Sequence, residues 1–448
     1  MIFEWNFHEK PVMNLLRFST AGSVDDGKST LIGRLLFDAK SIFEDQYDNI
    51  VRTTARRGGV GGNVDVVMDD GVAVDLALLT DGLIAEREQG ITIDVAYRYF
   101  STPERKFIIA DTPGHEQYTR NMVTGASTAD LTIVLVDAKK GVLPQSRRHA
   151  LIASLLGIRH VVVAINKMDL VDYSQERFDV LAAEFEMIGL QLGLAQPHII
   201  PVSALRGDMV VERGERLAWY TGPTLLQCLE TVDLAPIENL PLRFPVQLVN
   251  RPGLPGTYAR GYMGRIESGS MRVGDRIRVQ PNGRTSTIRD IVTFDGSLVV
   301  AHAPQSVTVL LEDEIDISRG DLLTHAATPA RVAKEFDAML CWMDAERLSP
   351  NRKYLIKHTT RMTKASIAGI AYRLDIGTLQ AVTDDAAQHG LAMNDIGRVR
   401  IRTRDALLVD AYESNRATGA FIVIDEVTNH TVAAGMIVAD VEQGMSDD

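Results

Sequence analysis

The sequence has few cysteines, and their spacing excludes two common kinds of site. Its 448 residues contain only Cys228 and Cys341. These two lie far apart in the chain, and they match neither the paired spacing of a zinc site nor a Cys-x-x-Cys redox motif. We therefore expect both to be buried or half-buried thiols rather than metal ligands or a redox pair.

Long hydrophobic runs are absent as well. A helix that spans a bilayer needs roughly 18 or more consecutive apolar residues, and no segment of this chain approaches that length. The first ten residues, MIFEWNFHEK, include Glu4 and Glu9 and have no apolar core, so they do not resemble a signal peptide. We expect a cytoplasmic protein that does not contact a membrane.

Basic residues are fewer than acidic ones. The 47 lysines and arginines against 59 aspartates and glutamates give a formal net charge of -12. A protein that coats nucleic acid presents a strongly basic face. The charge balance therefore argues against a nucleic-acid partner, although it is compatible with local basic patches.

What the sequence does have is a phosphate-binding loop near its start. The stretch GSVDDGKS, residues 22–29, fits G-x-x-x-x-G-K-[ST], and it lies between a predicted strand and a predicted helix. Glycines let successive N-H groups converge on phosphate oxygens, and the helix that begins near Lys28 adds its positive end. The Lys28 ammonium can reach the β and γ phosphates, and the Ser29 hydroxyl suits Mg²⁺. The predicted binding residues of this loop are Gly22, Ser23, Val24, Asp25, Asp26, Gly27, Lys28, Ser29 and Thr30.

A second motif, DTPGH, directly follows the strand-like run KFIIA. The Asp111 carboxylate can hold a Mg²⁺-bound water, and the Gly114 amide can meet a γ phosphate. The motif comprises Asp111, Thr112, Pro113, Gly114 and His115, and a plain strand-to-helix turn is the alternative interpretation. We predict that His115 is catalytic and positions the attacking water, because phosphoryl transfer depends mainly on positioning and charge stabilisation.

Two further motifs predict the base. Asn166, Lys167, Met168 and Asp169 end the strand-like run HVVVAI. A carboxylate there accepts from both the ring N-H and the exocyclic amine of guanine, whereas adenine cannot donate at either position. Leaving the carboxylate unpaired costs about 1 to 3 kcal/mol or more, so the motif selects GTP over ATP. After the run HIIPV, the triplet Ser203, Ala204 and Leu205 can offer an amide to the guanine carbonyl.

The stretch GITID, residues 90–94, closes a long polar insertion at 41–90 that follows the first predicted helix. Long irregular insertions are usually functional lids or mobile segments. Thr92 could bind Mg²⁺ and the γ phosphate only while that phosphate is present, which would make the insertion a nucleotide switch. A β-branched strand start explains the same residues in structural terms.

The pattern of elements predicts an α/β P-loop domain followed by two all-β barrels. Up to about 238, apolar runs alternate with helical periodicity, as a mostly parallel sheet with helices on both faces requires. Later, short alternating runs are separated by glycine turns, which is typical of barrels or sandwiches. The predicted domains are 1–238, 239–332 and 333–441, with a tail at 442–448, and the predicted strands of the first are 15–21, 92–100, 106–111, 131–137, 160–166 and 198–202.

With these motifs in this order and two β-rich regions after them, the chain resembles translational GTPases of the elongation factor Tu type, from about residue 15 to about residue 440. It more closely resembles the large GTPase subunits of bacterial sulfate adenylyltransferases. Asp25-Asp26 and Lys28-Ser29 stand where translation factors typically have Asp-His and Lys-Thr. The strings EREQGITID, LPQSRRHALIASLLGIRHVVVAINKMDLV and CWMDAERLSPNRKYLIKHTTR favour the same subfamily.

The resemblance implies GTP and Mg²⁺ as cofactors, with the metal held by Ser29, Thr92 and Asp111, and His115, Lys28 and Thr92 as catalytic residues. It implies a heterodimer with a small ATP-binding subunit, in which GTP hydrolysis drives the formation of adenylyl sulfate and pyrophosphate from ATP and sulfate. Some relatives carry a fused adenylylsulfate kinase, and because this sequence has no second phosphate loop we expect that activity to be absent. The alternatives are a tRNA-delivering elongation factor and a GTP-binding module without turnover.

Overall fold

The computed structural model describes residues 15–40, 54, 74, 76, 92–115, 118–194, 196–234, 237–250, 260–350, 352–375, 378, 380–383 and 389–439. Most of the predicted switch insertion 41–90, residue Ile91 and the predicted tail 442–448 lie outside the described residues. The chain divides into two compact units, Met1–Leu234 and Ala235–Asp448.

The first unit is built on a six-stranded sheet. Its strands are β1 Leu15–Ala21, β2 Ala96–Ser101, β3 Lys106–Asp111, β4 Leu131–Asp137, β5 His160–Asn166 and β6 His198–Pro201. They lie in the order β2-β3-β1-β4-β5-β6. β2 is antiparallel to β3, and the other neighbours are parallel.

Helices accompany this sheet, and local sequence explains where they begin. They are α1 Lys28–Asp38, α2 Thr119–Ala126, α3 Pro144–Leu155, α4 Gln175–Gln191 and α5 Leu225–Thr231, and a 3-10 turn spans Met168–Val171. Pro144 stands at the first position of α3, where its missing N-H costs nothing. The Ser174 hydroxyl accepts from the Arg177 N-H at the start of α4, and Thr224 and Gln227 form a capping box on α5.

The core of this unit lies around β4 and β5. Every residue of β4, LTIVLVD, is buried, as is typical of a parallel strand covered on both faces. Because parallel strands end at the same edge of a sheet, Asp111, Asp137 and Asn166, the last residues of β3, β4 and β5, lie along one edge. The phosphate loop follows β1 at that same edge.

Two closed antiparallel sheets make up the second unit. The strands of the first are β7 Phe244–Asn250, β8 Gly261–Arg265, β9 Ser270–Arg272, β10 Arg276–Gln280, β11 Thr285–Thr293, β12 Gly296–Leu298, β13 Val300–His302, β14 Ser306–Leu311 and β15 Leu322–His325. The ring runs β10-β15-β7-β8-β14-β11 and closes by pairing β11 with β10, while β9 and β13 form a separate ribbon. Closure leaves no free edge strand in the ring.

The second ring follows the same plan. Its strands are β16 Arg331–Trp342, β17 Lys353–His358, β18 Arg361–Asp375, β19 Gln380–Val382, β20 Ile396–Val409, β21 Ala420–Asp425 and β22 Thr431–Ile437, with a short helix α6 at Arg416–Gly419. The order is β17-β21-β22-β16-β20-β18, closed by the pairing of β18 with β17. The predicted fold class, an α/β domain followed by β-barrels, is confirmed.

Two strands differ from their predictions: β6 ends one residue early, at Pro201, and β2 differs more. β2 begins at Ala96 rather than at residue 92. The Asn121 side chain of α2 donates to the Ile93 carbonyl at 2.8 Å, and the Val95 N-H is bonded to the Asp94 carboxylate at 2.8 Å. These backbone groups are therefore used outside the sheet, although β-branched residues at 91–93 favour a strand.

The cysteines are buried, as predicted. Cys228 lies in α5 and Cys341 in β16, and neither is in a disulfide. Burial raises the pKa of the Cys228 thiol to about 11 and that of Cys341 to about 12. Both thiols are therefore protonated and unreactive near neutral pH. Of the helices that the structure describes, none has the length and apolar character needed to cross a membrane.

Candidate guanine-nucleotide site

The phosphate loop curls tightly between β1 and α1. Gly27 has φ of +89° and caps α1, and a β-carbon there would lie 2.5 Å from Asn166 Nδ2. Asp25 also has a positive φ, of 67°. Only glycine fits at position 27, because both the left-handed backbone and the close side chain exclude a larger residue. The conformation of the phosphate loop is thus restricted by Asn166, which belongs to the motif at 166–169, as well as by the loop's own sequence.

Asp26 braces the loop from inside. Its Oδ2 accepts from the Ser23 N-H at 2.6 Å, and burial raises the pKa of its carboxyl. Ser23 Oγ and Asp26 Oδ1 are buried, and neither has a hydrogen-bond partner in the part of the chain that the structure describes. Buried polar atoms are rarely left unpaired in native proteins, so this pair is consistent with a loop that completes its bonds with a ligand.

Lys28 lies folded into the loop. Its Nζ donates to the carbonyl of Gly22 at 2.7 Å and to that of Ser23 at 3.0 Å. Burial lowers the pKa of Lys28, and the negative charges of Asp111, Asp26 and Asp25 oppose that shift. The Lys28 ammonium is therefore bound by neutral carbonyls at the place where the motif predicts a phosphate.

The turn after β3 packs against the phosphate loop. Asp111 is buried and accepts from Thr20 Oγ1 at 3.3 Å, while Thr112 Oγ1 donates to the Thr20 carbonyl at 2.6 Å. A β-carbon on Gly114 would lie 2.3 Å from the Gly22 carbonyl oxygen and 2.3 Å from Lys28 Nζ. The structure thus brings Asp111, Thr112 and Gly114 beside residues of β1 and the phosphate loop.

His115 and Thr92 are the remaining predicted residues on the phosphate side. His115 is half-buried, and its ring centroid lies 6.1 Å from that of Tyr118 in an edge arrangement. Thr92 is half-buried and has no hydrogen bond or ion pair with any other residue that the structure describes. Both residues flank the site in sequence.

On the base side, Asn166 ties two loops together. Its Nδ2 donates to the Asp26 carbonyl at 2.8 Å, and its Oδ1 accepts from the Ala204 N-H at 3.0 Å. The Ala204 amide, one of those expected to face the base, is therefore bonded to Asn166. Asn166 joins the phosphate loop to the triplet 203–205.

Asp169 is oriented by the same triplet. Ser203 Oγ donates to Asp169 Oδ1 at 2.6 Å, which fixes one carboxylate oxygen and leaves the other able to accept. Met168 is fully buried behind it. Of the seven residues predicted for base recognition, Asn166, Asp169, Ser203 and Ala204 are thus joined by hydrogen bonds between residues 166–169 and the triplet 203–205.

Sequence reasoning missed Asp137. Lys167 has φ of 63°, and its Nζ forms an ion pair of 2.9 Å with Asp137 Oδ2 and also donates to the Asp25 carbonyl. Burial would raise the pKa of Asp137, but hydrogen bonds from Lys167 and from the Lys140 and Lys139 amides lower it below its usual value. Its place as the last residue of β4, between two motif-bearing strand ends, is a signal that could have identified it.

Comparisons with known proteins agree with this geometry. Residues 13–236 match the elongation factor Tu GTP binding domain, and residues 335–438 match the GTP-eEF1A C-terminal domain-like family. The chain is 52% identical over 430 residues to sulfate adenylyltransferase subunit 1 of Saccharophagus degradans, covering 96% of this chain and 88% of that protein. It is equally similar, at 52% over 432 residues, to the same subunit of Teredinibacter turnerae, covering 96% and 88%.

The chain belongs to the sulfate adenylyltransferase subunit 1 family. The predicted family is thereby confirmed. It is also 54% identical over 430 residues to the bifunctional enzyme CysN/CysC of Mycobacterium tuberculosis, covering 95% of this chain and 68% of that enzyme. Because the GTP-binding domain match spans residues 13–236, all of the residues assembled above lie inside it.

The residues present fit a magnesium-bound guanine nucleotide. Ser29 and Asp111 supply the hard oxygen ligands that Mg²⁺ prefers, and this ion commonly uses one or two protein ligands together with phosphate oxygens. The unpaired polar atoms of Ser23 and Asp26 face the same loop. The chemistry of these residues therefore agrees with the match of residues 13–236 to a GTP-binding domain.

Proposed function

We propose that this chain is the GTPase subunit of a heteromeric sulfate adenylyltransferase. Its GTP hydrolysis would drive the formation of adenylyl sulfate and pyrophosphate from ATP and sulfate on a small, ATP-binding partner subunit in the cytoplasm. The observation that carries the proposal is the meeting of Asn166, Asp169 and Ser203 beside the phosphate loop, in a chain half identical to sulfate adenylyltransferase subunit 1 proteins.

The residues divide into three roles. The phosphates lie in residues 22–30, where backbone N-H groups and the Lys28 ammonium offset their charge. Mg²⁺ is held by Ser29, Asp111 and, in the triphosphate state, Thr92. Guanine is bound by Asn166, Lys167, Met168 and Asp169 together with Ser203, Ala204 and Leu205. Bound Mg²⁺ supplies charge neutralisation for the terminal phosphate.

His115 and Thr92 are the parts of the proposed machinery that act at the terminal phosphate. His115 positions the attacking water, and Thr92 binds the terminal phosphate side only in the GTP state.

Energy coupling requires that the two nucleotide states differ in their affinity for states of the partner. A ligand shifts an equilibrium only by its differential affinity for the two states. Thr92 lies four residues before β2 and Gly114 three residues after β3, and Ala96 pairs with Asp111. The presence or loss of the terminal phosphate would therefore act on both chains at the open end of the β2-β3 hairpin. We further propose domains at 1–238, 239–332 and 333–441, although β16 already begins at Arg331.

The test is GTP hydrolysis by the purified chain alone and together with its co-purified small subunit, with and without ATP and sulfate. We expect slow hydrolysis alone and a marked increase only when the partner and both of its substrates are present. Omitting sulfate is the matched control, because ATP and the partner remain. Hydrolysis that does not respond to the partner and its substrates would remove the proposed coupling.

A further inference from the structure

Arg34 lies on the helix that begins at the phosphate loop, yet its side chain reaches the base-side triplet. It is in α1, six positions after Lys28, and it is 7% exposed. Its sequence position predicts no part in base recognition, and no motif includes it. A buried guanidinium requires hydrogen-bond partners, because leaving its charge unpaired would be costly.

Those partners are two consecutive backbone carbonyls. Arg34 Nε donates to the Ala204 carbonyl at 3.2 Å, and Nη2 donates to the Leu205 carbonyl at 2.7 Å. Nη1 contacts Asp38 Oδ1 at 3.4 Å, one turn further along α1. The planar fork of an arginine thus holds two neighbouring peptide groups in a fixed orientation.

The N-H groups of residues 204–206 show which backbone donor that orientation leaves available to a ligand. The Ala204 N-H donates to Asn166 Oδ1 at 3.0 Å, and the Arg206 N-H donates to Ser203 Oγ at 3.3 Å. Between them, the Leu205 N-H has no acceptor in the described parts of the chain. It is the one amide of the three that remains able to bind a ligand.

Peptide geometry links Arg34 to this amide. The Ala204 carbonyl and the Leu205 N-H belong to the same planar group, and in a trans peptide they point in opposite directions. Arg34 holds the carbonyl toward α1, so the Leu205 N-H is directed away from α1. Asn166 fixes the preceding peptide from the other side, so the orientation is set at two consecutive peptide groups.

We propose that Arg34 is a positioning residue for guanine selectivity, which aims the Leu205 N-H at the carbonyl oxygen on position 6 of the base. The inference rests on the proposed GTP-binding function. With this role for Arg34, α1 connects the phosphate side of the site to the base side. Its first residue is Lys28, and a side chain from its middle orients the triplet 203–205.

The experiment compares binding of GTP, ITP and 6-thio-GTP to the full chain and to Arg34→Gln, with Arg34→Lys as the conservative variant. ITP lacks only the 2-amino group, which is the partner of Asp169. In 6-thio-GTP only the atom on position 6 is changed, to a weaker acceptor. We expect Arg34→Gln to weaken GTP binding about tenfold and to reduce the preference for GTP over 6-thio-GTP. The preference for GTP over ITP should stay the same, and Arg34→Lys should lie between the two proteins.

Arg206→Gln is the matched control, because Arg206 is exposed in the same loop and the substitution removes the same charge. Its affinities should equal those of the unmodified chain. If Arg34→Gln binds all three nucleotides less tightly by one common factor, or binds them unchanged, the positioning role is wrong. If the unmodified chain itself does not prefer GTP to ATP, the proposed function fails instead.

Discussion

At the scale of single residues, the site depends on atoms that approach more closely than a side chain would allow. Gly114 is the clearest case, because a β-carbon would overlap both the Gly22 carbonyl oxygen and Lys28 Nζ at 2.3 Å. A carbonyl of the phosphate loop cannot move aside without displacing the loop. The glycine of this turn is therefore required by packing, independently of any bond that its N-H makes to a phosphate.

We predict that Gly114→Ala displaces the phosphate loop and weakens GTP binding. Overpacking of this kind costs about 1 to 3 kcal/mol, which corresponds to a loss of affinity of roughly 5-fold to 150-fold. Titration with a fluorescent GTP analogue measures it. Gly189→Ala in α4 is the control, since its nearest neighbours would be 3.6 Å away. Unchanged affinity in Gly114→Ala would mean that the loop adapts.

We propose that Asp169 decides which purine is accepted. Its Oδ1 is occupied by Ser203 Oγ, and the remaining oxygen is the one able to accept from a base. We predict that Asp169→Asn lowers GTP affinity about 10-fold to 100-fold. It should improve the binding of XTP, whose carbonyl at position 2 can accept from the new amide. Competition binding of GTP and XTP measures both changes.

Asp172→Asn is the control for that exchange, because Asp172 is exposed three residues further along and loses the same charge. Its preference for GTP should not change. An Asp169→Asn protein that still rejected XTP as strongly as the unmodified chain would contradict the assignment of this carboxylate to the base.

At the scale of elements, α3 carries a buried polar pair against the sheet. Ser146 and His149 are both fully buried, and among the described residues Ser146 Oγ and His149 Nδ1 have no hydrogen-bond partner. Burial, with the positive charges of Lys28 and Arg148, lowers the pKa of His149 to about 3. The imidazole is therefore neutral in the folded protein throughout the physiological range.

This pKa predicts how the stability of the first unit changes with pH. Above the ordinary histidine value of 6.5 the ring is neutral in both states and has no effect. As the pH falls from 6.5 toward 3, the unfolded chain binds a proton that the folded chain does not. The free energy of unfolding therefore falls by about 1.4 kcal/mol for each pH unit.

We predict that His149→Gln removes this component, so that the loss of stability between pH 6.5 and pH 5 is about 2 kcal/mol smaller than in the unmodified chain. Urea unfolding followed by Trp219 fluorescence measures it, in a background where Trp5 and Trp342 are replaced by phenylalanine. His198→Gln, an exposed position in the same unit, should leave the pH dependence as it was. Parallel pH curves for His149→Gln and the unmodified chain would refute the prediction.

At the scale of the whole chain, the second unit depends on a bond between residues of its two rings. Arg243, just before β7, binds Asp410, just after β20, through Nε at 2.7 Å and Nη2 at 2.9 Å. Thr418 Oγ1 donates to the same carboxylate at 2.5 Å. Burial would raise the pKa of Asp410, but these bonds and the arginine charge lower it below its usual value.

We predict that Arg243→Ala destabilises the second unit by up to about 3 to 5 kcal/mol, because it leaves the Asp410 carboxylate, which is only 16% exposed, without its cation. Unfolding followed by Trp342 fluorescence measures the change. Arg400→Ala is the control, since this exposed arginine pairs with Asp337 at the surface and should change stability little. If both variants changed stability by a similar small amount, the Arg243–Asp410 pair would contribute little to the stability of the second unit.

Much of the fold and part of the site could be predicted from the sequence. The bounds predicted for β1, β3, β4 and β5 coincide with those observed, because buried parallel strands are short apolar runs that end in polar turns. The motif loops were equally visible, since glycines with special backbone angles and charged residues at strand ends are local features. The start of β2 was wrong because a side chain from α2 binds the backbone there.

The sequence by itself determined the class of the protein, the order of its elements and the motif residues that we propose bind a nucleotide, because each of these depends on neighbours within a few positions. Only the tertiary structure decided which residues support them. Asp137 and Lys167 are 30 positions apart, Arg34 and Leu205 are 171, and Arg243 and Asp410 are 167. Such pairs leave no local pattern, since their contact exists only after the strands and helices between them have packed.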